Sequence, residues 1–229
     1  MYWKKLPAKC CYGLSCLLTL FSFPAFSQEP ATADSRLYNG IEYIRNGTPA
    51  KGFPFYDMDS LQLGTVCYNG LLFHDIPMEY DLVEDKLVIP YFHNAFFISL
   101  ISEKLSYFYI GNQRFRYIGT DKNTASLPSP GFYQELYRKG STAALARREK
   151  KLVFPSNHED QARYTQQNTY FLLLDGLYYP ISGEKDLLDA TKDKKDALKQ
   201  FIRKNKIHFK SNLEDALIRT TDYYLQIRH

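Results

Sequence analysis

The sequence predicts an α+β protein: an antiparallel β-rich body (a curled sheet, small barrel or sandwich) followed by a C-terminal amphipathic helical hairpin. Three observations carry this. Apolar residues alternate with period two through most of residues 37–183, which is the signature of half-buried strands. Asn69-Gly70 and Asp175-Gly176 each separate two such runs, and both turn residues must accept positive φ. From about residue 184 the apolar spacing switches to that of a helix. Strands first and helices last place the helices on one face or end of an antiparallel sheet.

The elements follow in chain order. Residues 1–27 have the three-part build of a secretory signal peptide: Lys4, Lys5 and Lys9, an apolar run from Cys10 to Phe23, and the small residues Ala25 and Ser27 before the expected cleavage site at Gln28. The run is shorter than the roughly 18–20 residues that cross a bilayer. A lipoprotein signal acylated on Cys16 fits less well, because "GLSC" has Gly13 where such signals carry a branched aliphatic residue. The expected location is therefore outside the cytoplasm, periplasmic or associated with the outer membrane. No transmembrane segment is expected after cleavage.

Cleavage alters the composition that needs explaining. The 202 residues from Gln28 carry a formal net charge of +1, so the basic balance of the whole chain belongs mostly to the export signal. No overall field is left to recruit nucleic acid. Three of the four cysteines also leave, and Cys67 alone cannot form an internal disulfide. Stability must then come from a packed core.

Residues 28–36, "QEPATADSR", read as a flexible leader. In the body over 37–183, strands at 63–68 and 71–76 form the first hairpin. "KLVIPYF", "AFFISLI", "KLSYFYIGNQRFRYIG" and "GFYQELYRKGSTAALARR" continue the pattern, with turns expected at His93-Asn94, Gly111-Asn112 and Lys139-Gly140. "YFLLLDGLYYPI" makes the last hairpin. In the helical segment over 184–229, a short helix at 184–191 precedes a stripe of Ala197, Leu198, Phe201 and Ile202. Ser211 and Glu214 form a capping box for a final helix whose Leu213, Leu217, Thr220, Tyr224 and Ile227 share a face. An outer-membrane barrel fits less well, because its strands would run to the end of the chain and its lipid face would need regular spans of about ten residues.

No GxSxG elbow, SxxK pair, P-loop or dinucleotide fingerprint occurs. His74, Asp75, His93, His158, His208, Asp57 and Asp59 show no metal-ligand spacing, and no cofactor or metal is expected. Cys67 has His74 on the partner strand, but the register puts His74 opposite Thr65 and only diagonal to the thiol, so Cys67 reads as a buried structural residue. "RREKK" at 147–151 reads as a solvated strand end. The acidic residues Asp57, Asp59, Asp75, Glu79, Asp81, Glu84 and Asp85 are dense enough to raise a second reading, a secreted hydrolase of cell-wall or polysaccharide substrates.

The aromatic load is the most unusual feature: seventeen tyrosines and thirteen phenylalanines follow residue 27. Tyrosine pairs a rigid apolar face with a polar tip, and Tyr107 with Tyr109, or Tyr178 with Tyr179, are the candidate recognition residues. The first functional expectation is thus a non-enzymatic cell-envelope protein that binds a protein or glycan partner through an aromatic-rich surface.

The strings "GFPFYD", "GTVCYNGLLFHDIPMEYDLVEDKLVI", "GFYQELYRKG", "YFLLLDGLYYPI" and "KDALKQFIRKNKI" together resemble a group of uncharacterised exported proteins of Bacteroidetes-type Gram-negative bacteria. The resemblance implies an envelope location and a β-rich body ending in helices. It carries no catalytic residue with it.

Overall fold

The computed structural model describes residues 35–91, 96–120, 127, 129–156 and 161–228. The expected signal peptide, nearly all of the expected leader and the expected His93-Asn94 turn lie outside the described residues.

Two short strands come first, β1 (Ile41–Tyr43) and β2 (Ala50–Lys51). The Asn69-Gly70 turn, with φ of 50° and 76°, joins β3 (Gln62–Tyr68) to the long β4 (Leu71–Asp81). There follow β5 (Lys86–Tyr91), β6 (Phe96–Ser99), β7 (Leu105–Ile110) and β8 (Gln113–Ile118). Then come β9 (Gly131–Lys139) and the two longest strands, β10 (Thr142–Val153) and β11 (Ala162–Leu174), before β12 (Leu177–Ile181). The β9–β10 turn is Gly140-Ser141, one residue beyond the expected position, because Lys139 pairs with Thr142 across it.

These strands form one sheet in the order β1-β6-β5-β4-β3-β7-β8-β9-β10-β11-β12. Neighbours pair antiparallel, except that β2 lies parallel to β11. The sheet is open and curled, which selects the first of the three expected forms. The curl brings the end of β4 to β10, where Lys150 N donates to Leu82 O at 2.9 Å.

Alternation sorts the side chains into two faces. The concave face of the first half gathers Val66, Met78, Tyr80, Phe108, Phe115 and Phe132, all buried. Tyr80 stands at its centre, with ring centroids 5.2, 5.0 and 5.7 Å from Phe108, Phe115 and Phe132 in edge-to-face contacts. Such pairs add about 0.5–1.5 kcal/mol each beyond burial. Part of the aromatic load read from the sequence is thus core packing.

On β9 to β12 the same face is covered by helices, α1 (Glu184–Ala190), α2 (Lys195–Lys204) and α3 (Leu213–Ile227). Ala144, Leu172, Leu174 and Ile181 of the sheet meet Leu187, Leu198, Ile202, Leu217 and Tyr224. The predicted stripes on both longer helices are the buried ones. The cap of α3 is Asn212, not Ser211: Asn212 Oδ1 accepts from Asp215 N at 3.1 Å, while Ser211 Oγ donates to His208 O. Glu214 does not turn back to close a capping box, because Arg148 holds it against the sheet. No helix among the described residues is long and apolar enough to cross a membrane.

The "RREKK" segment is not a solvated strand end. Arg147 and Arg148 are 4% and 7% exposed. Arg147 Nη1 lies 2.8 Å from Asp85 Oδ2 and donates to Phe132 O, and Lys150 Nζ donates to Phe53 O and Phe55 O. Arg147 and Lys150 tie the β4–β5 turn and the 53–56 segment to β10, while Lys151 is exposed.

Candidate functional site

Among the described residues no helix packs on the convex face of the first half. The strand registers lay its side chains out as a grid. One row runs Leu72, Cys67, Tyr107, Arg116 across β4, β3, β7 and β8. A second runs Thr65, Tyr109, Arg114 across β3, β7 and β8. A bulge in β4 leaves His74 beside Thr65, with Nδ1 3.3 Å from Oγ1, which is the diagonal relation to Cys67 that the sequence predicts.

Tyr107 and Tyr109 point the same way, two residues apart, with centroids at 5.8 Å and planes at 84°. The Arg114 guanidinium lies over both rings, 4.4 Å from the centroid of Tyr107 and 5.8 Å from that of Tyr109. Glu135 on β9 gathers three arginines. Its Oε2 accepts from Arg114 Nη1 at 2.7 Å and its Oε1 accepts from Arg138 Nε at 2.5 Å, with Arg116 Nε at 3.7 Å. One carboxylate among three guanidinium groups leaves two positive charges in excess. Arg114 Nε and Arg116 Nε have no hydrogen-bond partner among the described residues. The Arg116 side chain is 44% exposed and that of Glu135 only 4%, so the patch shows solvent its cations and hides its anion.

Apolar surface continues from this basic and aromatic centre. Leu63 and Leu72, on the convex face of β3 and β4, are 66% and 48% exposed. Cys67 sits between Leu72 and Tyr107 and is a free thiol, half-buried. The expected buried thiol is therefore corrected: the residue is half-buried, on the face that no helix among the described residues covers.

Tyr178 and Tyr179 do not join this patch, nor each other. They are neighbours on β12 and so point to opposite faces. Tyr178 packs on the cluster of Tyr133, Leu145 and Phe171, and Tyr179 packs against the helices. Both serve the core more than a surface.

The acidic residues of 57–85 are not brought together. Asp81 accepts from Tyr43 Oη at 2.6 Å and from the backbone N–H groups of Val83 and Glu84. This contact and burial, with burial the larger cause, raise the Tyr43 hydroxyl far above its ordinary range. Glu79 pairs with Arg45, whose guanidinium also lies over Phe55 and Phe97. Asp85 takes Arg147 and the Tyr80 hydroxyl. Asp59 is 3.6 Å from Arg45. Asp57 and Asp75 are exposed at positive-φ positions, and Glu84 pairs with Lys86. These are turn and segment fasteners. Among the described residues no group of three or more His, Cys, Asp or Glu side chains is placed to hold a metal ion.

Cavities occur elsewhere. One of about 660 Å³ lies between β11, the end of β12, Asp186 of α1 and Leu213 of α3. Others of about 360 and 490 Å³ lie beside the start of β11 and between α1 and α2. None of the three is lined by an acid of 57–85 or by the Tyr107–Arg114 patch. Compared with known proteins, the chain matches no family model, no curated protein and no solved structure.

Proposed function

We propose that this is an exported, non-enzymatic binding protein of the cell envelope, which docks an acidic partner protein on its convex sheet face. The single observation that carries the reading is Arg114 held across Tyr107 and Tyr109 with Arg116 exposed beside it. Tyrosine and arginine are the residues that dominate protein interfaces, because both bring large, pre-ordered contact area. Leu63 and Leu72 extend the patch with exposed apolar surface, which a soluble partner would cover. A convex face suits a macromolecular surface and not a small molecule, whose sites are concave. The excess positive charge selects an acidic partner and speeds its approach. The helices, packed on the other side of β9 to β12, support the sheet without obstructing this face.

Affinity capture from solubilised envelopes of the native host tests the proposal. An acidic protein should be retained by the mature chain, released by high salt, and lost with Arg114→Ala combined with Tyr107→Ala. A protein retained equally by that variant, or no retained protein at all, would overturn it.

A further inference from the structure

Strand β11 carries a gap in its outer ladder. β12 covers it from Tyr170 to Leu174, and β2 covers Ala162 and Arg163. The two-residue turn at Asp175-Gly176, with φ of 53° and 79°, makes Leu174 and Leu177 a hydrogen-bonded pair. Counting by two, Leu172 and Tyr170 also bond outward to β12, while the residues between them bond inward to β10. Pro180, which has no N–H, stands opposite Phe171, where the outer ladder asks for none. The same count turns the N–H and C=O of Gln166 and Asn168 outward. These four groups have no backbone partner among the described residues.

The gap is shaped to accept a strand. The β10–β11 register runs without a shift from Val153 and Arg163 to Ala143 and Leu173. Residues 164–169 read "YTQQNT", with no charge and no proline. Sheet edges are ordinarily blunted by charges, prolines or bulges, and all three are missing here. Each end of the gap opens into a cavity. Beyond Asn168 lies the one of about 660 Å³, with Tyr170, Ile181 and Leu213 as apolar walls and Asp186 as its acid. Thr169 Oγ1, also on its wall, is buried with no partner among the described residues. At the other end the cavity of about 360 Å³ has Lys51 and Arg163 as its cations.

We propose that this gap receives an extended segment of a partner polypeptide as an added strand, antiparallel to β11, with a basic or apolar residue at its N-terminal end beside Asp186 and an acidic residue at its C-terminal end beside Lys51 and Arg163. Six residues, roughly 20 Å of strand, fill the gap. Backbone bonds to Gln166 and Asn168 supply affinity, and the two end cavities supply selectivity. The long neighbours β10 and β12 both pair with β11 antiparallel, and charge sets which end lies where: an acidic end would be repelled by Asp186, whose carboxylate is held by Ser182 N and Oγ, and attracted by Lys51 and Arg163. A second copy of this chain does not fit. Pairing two β11 edges about Gln166, the register that sets outward-bonding residues opposite each other, would lay Ala162 of one copy opposite Tyr170 of the other, the place Ile181 already fills.

A phage-displayed library of random dodecapeptides, selected on the mature protein, tests this. Enriched peptides should share the charge polarity just given. Their affinity should fall at least tenfold with Gln166→Pro, which removes an outward N–H and spares the β10 ladder. It should be unchanged with Arg114→Ala. N-methylation of alternate peptide residues should abolish binding in one parity and spare it in the other, a readout that does not depend on any protein variant folding. The proposal is overturned if no peptide enriches, if Gln166→Pro binds the enriched peptides as the wild type does, or if N-methylation shows no parity.

Discussion

Arg148, in the middle of β10, clasps Glu214 in the first turn of α3, with Nη1 and Nη2 at 2.6 and 2.9 Å from the two carboxylate oxygens. Arg148 Nε donates to Gln134 Oε1, and Tyr170 Oη donates to the same carboxylate at 2.8 Å. One planar guanidinium thus joins two strands and a helix. The pair is anchored on a buried arginine, but the Glu214 side chain is 34% exposed, so it is worth less than a fully buried one.

Removing one partner tests that clasp. Glu214→Ala should lower stability by about 2 kcal/mol, less than the roughly 3–5 kcal/mol of a fully buried pair because solvent reaches the carboxylate. Glu214→Gln should lose less, since the amide still accepts from Tyr170. Chemical denaturation of the three proteins at neutral pH measures both losses.

The same contact sets an acid limit. The hydrogen bond from Arg148, and then that from Tyr170, hold the Glu214 carboxyl below its ordinary value against the opposing effect of burial. A depressed folded-state pKa contributes stability that is fully present above the unfolded value and is lost as pH falls through the folded one. Wild-type stability should therefore drop below the ordinary glutamate range by more than that of Glu214→Gln. Denaturation midpoints between pH 3 and pH 6 read the difference.

An alkaline limit should appear at the helices. Burial, and then hydrogen bonds to Asp222 and Asp193, push Tyr137 and Tyr224 up to about 12 each. Both hydroxyls fasten α3, Tyr137 from β9 to Asp222 and Tyr224 to Asp193 before α2. A raised folded-state pKa gives stability that is present below the unfolded value and lost as pH rises through the folded one. Helical circular dichroism should melt at falling temperature from pH 10 to 12, and Tyr137→Phe should flatten part of that fall.

Gly131 opens β9 with φ of 151°, and a Cβ there would lie 2.0 Å from Asp85 Oδ2 and 2.3 Å from Arg147 Nη1. The pair of buried Arg147 and half-buried Asp85 occupies the space a side chain would need. Gly131→Ala should therefore displace that pair and destabilise by about 2–4 kcal/mol, the combined cost of a strained φ and a disturbed buried charge. A Gly119→Ala control, whose Cβ meets only a Tyr117 ring carbon at 3.8 Å, should be near neutral.

The hairpins and helix faces were legible in the sequence because they are local: Asn69-Gly70 and Asp175-Gly176 demand positive φ wherever they fall, and the Leu198 and Ile202 stripe has a helical period in any context. Long-range charge pairing was not. "RREKK" looks solvated in one dimension, and only the curl that brings Leu82 to Lys150 buries it. The candidate site divides the same way. Tyr107 and Tyr109 share a face by simple alternation, whereas Arg114 and Glu135 join them through strand pairing. Tyr178 and Tyr179 could have been separated from the start, since adjacent strand residues point to opposite faces.

Cys67 offers a direct probe of the convex face. It pairs with Leu72 on one side and Tyr107 on the other, and its half-buried thiol faces the side that no helix among the described residues covers. A small maleimide should label the native protein without denaturant. A bulky one should then stand over Tyr107 and block partner docking while leaving the melting temperature nearly unchanged, because the core lies on the opposite face of the same strands. Peptides held at the β11 gap should still bind the labelled protein, since Gln166 and Asn168 lie across five strand pairings from Cys67. Labelling that occurs only on unfolding would mean that the thiol is packed, and a label that leaves the captured partner bound would move the docking surface off Tyr107 and Arg114.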